Sequence, residues 1–100
     1  EQFAKDVADT VVSYLVLSKT HPEDKGFYLQ MAKAVLDETS KREGIDIDNL
    51  VDESLKAGLR RLDTSDLEWL ARSITEVYDG QDARDRAKAL LNITEEKTND

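Results

Sequence analysis

The chain contains no cysteine, which excludes disulfides, thiolate metal sites and cysteine nucleophiles. Its one histidine, His21, cannot form a histidine metal cluster within a single chain. Thr20 and Asp24 beside it read as helix-start residues, so no nucleophile and base converge there. Four glycines and one proline are too few for the many turns of a β-sandwich or barrel. The patterns GxGxxG, GxSxG, HExxH and the P-loop do not occur. No apolar run approaches the ~20 residues of a membrane span, and no leader segment is visible. Calcium-loop spacing fails as well: counted from Asp46, the fifth and sixth positions are Leu50 and Val51, where a ligand and a glycine are needed. The expectation is a non-enzymatic chain without metal or cofactor, away from membranes, in the cytoplasm. Glu1 stands where an initiator Met would, so a module excised from a longer protein, or a trimmed chain, is expected.

Positive charge is also in deficit. Fourteen basic residues face 22 acidic ones, for a net charge of −8 and a pI near 4.6. Such a surface repels polyanions and anionic lipid at long range. The deficit is uneven: residues 1–55 carry net −6 and residues 56–100 carry net −2. A nucleic-acid contact, if one exists, belongs to the second half.

What is present is enough apolar material for one core: 39% of 100 residues, including twelve Leu, seven Val and four Ile. It recurs every three or four positions, the period of a helix. Phe3, Val7, Val11, Tyr14 and Leu15 form one stripe over residues 2–19, with Ala8, Val12 and Val16 beside it. Together they span roughly 220° of the helix wheel, wider than one packing surface. Helix 1 is therefore central in a bundle or offers a face to a partner. A second helix is expected over residues 22–43, entered by Pro22 with Thr20 and Glu23 as a capping box and left at Gly44. It carries Phe27, Tyr28, Met31, Ala32, Val35 and Leu36, again a wide arc.

A third helix is expected over residues 49–62, capped by Asp46 or Asp48, with Val51, Leu55, Leu59 and Leu62 inward. Gly58 in its interior costs about 0.8–1 kcal/mol against Ala and suggests close approach of another helix. Asp63-Thr64-Ser65-Asp66 marks the next boundary, with Ser65 read as a helix-start residue. A fourth helix follows over residues 65–78, its Leu67, Leu70, Ala71, Ile74, Val77 and Tyr78 in an arc of roughly 120°. A fifth is expected over residues 82–93, with Ala83, Ala87, Leu90, Leu91 and Ile93 inward. The whole reads as an all-α, compact bundle of four to five helices. Residues 1–93 form one domain and residues 94–100, without an apolar side chain, a flexible tail.

Two functions from different classes fit. The first is a protein-protein interaction or regulatory module. Its contact residues would be Val12 and Val16 on the second stripe of helix 1, and Trp69 with Arg72 on helix 4, since exposed Trp beside Arg is typical of interaction hot spots. The partner is another protein or a second copy. The alternative is a nucleic-acid-associated accessory domain using Lys56, Arg60 and Arg61 on helix 3 and Arg84, Arg86 and Lys88 on helix 5. Net charge disfavours it, and the outer face of helix 4 (Asp66, Glu68, Arg72, Glu76) is a poor major-groove reader.

Overall fold

The computed structural model describes the backbone of residues 2–99 and the side chains of residues 2–93. Five α-helices follow one another: α1 (Gln2–Thr20), α2 (Lys25–Glu43), α3 (Ile47–Arg61), α4 (Thr64–Val77) and α5 (Gln81–Asn99). A single 3-10 turn, Pro22–Asp24, joins α1 to α2, and no strand occurs among the described residues. One buried apolar cluster takes residues from all five helices, from Ala8 to Leu90. The fold is the expected all-α bundle.

Each boundary has a local cause. Gly44 adopts φ 65°, the left-handed conformation that ends a helix and that other residues reach at a cost. The Asp46 carboxylate accepts the Asp48 backbone N–H at 3.0 Å and so starts α3. Asp63 does the same for α4, accepting from the Asp66 N–H at 2.9 Å. The expected Thr20–Glu23 capping box does not form. Thr20 belongs to the last turn of α1, and its hydroxyl donates to the Val16 carbonyl. The Pro22 ring, which fixes φ and lacks an N–H, opens the next turn without side-chain help. At the other end, α5 continues to Asn99 rather than ending at residue 93. Residues 94–99 contain neither Gly nor Pro, so loss of apolar character does not itself break the helix. The tail expectation otherwise concerns side chains outside the described residues.

α1 is the central helix. It packs against α2, α3 and α4, while α5 is held by α4 and α3. Ala8, Val11, Val12 and Leu15 are all buried. Val12 and Val16 were expected as a partner face; Val12 is 1% exposed and Val16 is partly buried against the core. The bundle itself covers that stripe. At Gly58 α3 lies against side chains of α4: a Cβ there would overlap Leu70 Cδ2 and lie 3.3 Å from Leu67 Cδ1. The helix accepts the conformational cost of glycine because the neighbouring leucines occupy the space.

Four large apolar side chains lie outside the core, among them Leu59 and Ile93, which were expected inward. Phe3 is 44% exposed, Phe27 61%, Leu59 42% and Ile93 38%. Leu59 and Ile93 turn outward because Leu50, Val51, Leu55 and Ala57 already fill the inner arc of α3, and Ala83, Ala87 and Leu90 that of α5. Phe27 sits about 180° around α2 from Leu36, at 100° per residue, on the far side from the core.

Candidate interaction surfaces

The Trp69 surface is a seam between α4 and α1. The indole N–H donates to Ser18 Oγ at 3.0 Å, and the buried Ser18 hydroxyl donates to the Leu15 carbonyl at 2.6 Å. Both hydroxyl functions are thereby satisfied in a dry environment. Lys19 reinforces the seam with bonds of 2.7 Å to Ser65 Oγ and to the Asp66 carboxylate. The Lys25 ammonium stands 5.4 Å from the Trp69 ring centre and 3.8 Å from the Glu76 carboxylate. A shallow hollow of about 170 Å³ opens among Lys25, Trp69, Arg72, Ser73 and Glu76. Trp69 is half-buried and closes the edge of the core, while Arg72 is exposed. Arg72 has no ionic partner among the described residues, so it is the one charge here still free for a partner.

The six basic residues expected to form a patch do not act as one. Lys56 lies 3.1 Å from Asp52, and Arg86 bonds the other oxygen of the same carboxylate. Arg61 turns to Asp9 on α1 at 3.1 Å. Arg84 turns to Asp79 in the α4–α5 connection at 3.0 Å. Arg60 and Lys88 are exposed without an ionic partner among the described residues. Between α3 and α5 the exposed Leu59 and Ile93 flank a groove of about 250 Å³ whose basic rim, Lys56 and Arg86, is partly offset by the single Asp52 carboxylate.

The Asp46–Glu53 region forms an open hollow of about 630 Å³ beside Ala4 and Lys56. Among the described residues no group of three His, Asp or Glu side chains is placed to hold a metal ion. Interaction of the Tyr78 phenol at the end of α4 with the Asp48 carboxylate, followed by burial and the negative charges of Asp48, Asp46 and Asp82, holds that phenol above its ordinary pKa. The Tyr78 ring lies over Gly80, where a Cβ would come within 2.9–3.0 Å of it.

A mostly apolar opening lies between α1 and α2, the two helices whose apolar arcs are wide. The two helices run antiparallel, with Val7 near Glu38 and Tyr14 stacked on Tyr28 at 6.4 Å between ring centres. A groove of about 400 Å³ lies between them, lined from α1 by Asp6, Val7 and Thr10 and from α2 by Met31, Ala34, Val35, Glu38, the buried Thr39 and Arg42. Phe3 lies on the groove stripe of α1 near one end. Phe27 lies on that of α2 near the other, in edge contact with Tyr28 at 5.4 Å. The signal for this surface was in the two wide apolar arcs. On the α1 wheel Phe3, Val7, Thr10 and Tyr14 fall within roughly 60° of one another, at the edge opposite Val12 and Val16.

No family model matches this sequence, and neither the curated proteins nor the solved structures compared with it give a match. No helix among the described residues is long and apolar enough to cross a membrane.

Proposed function

We propose that this chain is a non-catalytic protein-interaction module whose docking face is the α1/α2 groove. The observation that carries the reading is an open, mostly apolar groove between α1 and α2, with Phe3 and Phe27 exposed on the same two helices. Single exposed apolar side chains are ordinary, but several along one groove are a site where a partner removes apolar area from water. Burial of a large apolar side chain is worth ~1.5–3 kcal/mol. Arg72 beside Trp69 is a second contact point in this reading. The nucleic-acid alternative draws less support, because four of its six basic side chains are engaged by carboxylates and point to three different places.

Nuclear magnetic resonance of the 15N-labelled chain tests the reading. A short helical peptide with a leucine stripe and an uncharged polar face should shift the amides of Val7, Met31 and Val35. DNA and RNA oligonucleotides at low salt should shift none. Shifts confined to Lys56, Arg86 and Lys88 that fade steeply with added salt would replace this reading with the nucleic-acid one.

A further inference from the structure

We infer that the occupant of the α1/α2 groove is an amphipathic helix from a partner protein, with Lys or Arg flanking its apolar stripe; this rests on the reading of the groove as a docking face. The shape argues for a helix. Backbone groups on both sides of the groove are bonded within α1 and α2, so no sheet edge is offered to an extended peptide. The apolar lining is aliphatic (Val7, Met31 and Val35), not the aromatic trough that polyproline segments use. From Met31 to Arg42 the groove follows about three turns of α2, roughly 16 Å at 1.5 Å per residue, the length of a short recognition helix. Methionine in the lining adapts to differing side-chain shapes.

Charge selects the flanks of that helix. Asp6 and Glu38 line the groove from opposite helices, and neither has an ionic partner among the described residues. Asp6 only accepts the Gln2 side-chain amide at 2.9 Å. Arg42, the one basic residue lining the groove, is turned to Glu43 at 3.4 Å. The lining therefore presents two uncompensated carboxylates on a chain of net charge −8. A second copy would bring the same excess of negative charge to the contact, whereas a basic helix is attracted to it.

The experiment compares two stapled peptides of ~12 residues that share one leucine stripe, one flanked by Lys and the other by Glu, titrated into the 15N-labelled full chain at ~50 mM salt. The Lys peptide is expected to bind, shifting Val7, Met31 and Val35, and the Glu peptide to bind far more weakly. The double variant Asp6→Asn, Glu38→Gln should weaken the Lys peptide roughly 3- to 30-fold. Its circular dichroism and melting should be unchanged, because both side chains are exposed. Equal binding of both peptides, or no effect of the double variant, would overturn the basic-partner inference and leave the groove standing as a docking face. If neither these peptides nor the uncharged one perturbs the groove, both readings fall. Concentration-dependent groove shifts in the chain alone, with sedimentation as a dimer, would assign the face to a second copy.

Discussion

The α3–α4 corner and the α1–α2 hairpin are built from similar material and end up differently. In α4, Leu67, Leu70, Ala71, Ile74 and Val77 occupy one narrow arc, and all are buried. Glycine at position 58 lets α3 come close enough for Leu67 and Leu70 to fill the space between the helices. In the hairpin, both apolar arcs are wider than the contact between the helices. The inner part of each enters the core through Val11, Leu15, Ala32 and Leu36, and the surplus forms the open groove. A narrow stripe produces a closed joint; a wide one produces a joint and a surface.

Three substitutions bear on that contrast, and they fall in order of size. Leu70→Ala removes a fully buried side chain at the close α3–α4 contact. It should cost about 2–5 kcal/mol of unfolding free energy by urea titration, from lost burial and an incompletely filled cavity. A loss below about 1 kcal/mol would mean that the corner is loosely packed after all.

Tyr78 tests the electrostatic tie between the two ends of the corner. Its phenol is held above the ordinary value of 10.0 in the folded chain. The folded state therefore holds its proton more tightly than the unfolded state does. The stabilisation is complete below the unfolded pKa and is lost as pH rises through the folded one. Thermal melts should show stability falling above pH ~10, and Tyr78→Phe should flatten that fall. An unchanged alkaline slope in the variant would remove the Asp48 tie as its cause.

The smallest effect belongs to the groove. Phe27→Ser should change stability by about 1 kcal/mol or less, since the ring is mostly in water and touches mainly Tyr28. It should nonetheless weaken peptide binding at that end of the groove. If it destabilised the chain as much as Leu70→Ala does, the hairpin face would be structural rather than available.

The helices were legible in the sequence because period, caps and breakers agreed. Gly44, Asp46, Asp63 and Gly58 each do what their chemistry implies. The site was less legible. A helical wheel reports the width of an apolar arc and not which edge neighbours will cover. For α1 that depends on where α3 and α4 pack, a long-range fact. Val12 is buried and Val16 partly so, while Phe3, Val7 and Tyr14 are left at the margin, the reverse of the expected partner face. The basic patch failed for a related reason. Sequence proximity placed Arg61 with Arg60 and Arg84 with Arg86, but their carboxylate partners, Asp9 and Asp79, lie in other elements.

Met31 is the chain's one methionine and Trp69 its one tryptophan, and each belongs to a different candidate surface. Isotopic enrichment of a lone thioether methyl group would produce an uncrowded spectroscopic reporter in the groove. Indole emission would independently register disturbance of the seam where α4 meets α1. The molecule thus carries two native, spatially separate probes, which can tell occupancy of the groove from loosening of the bundle without any added label.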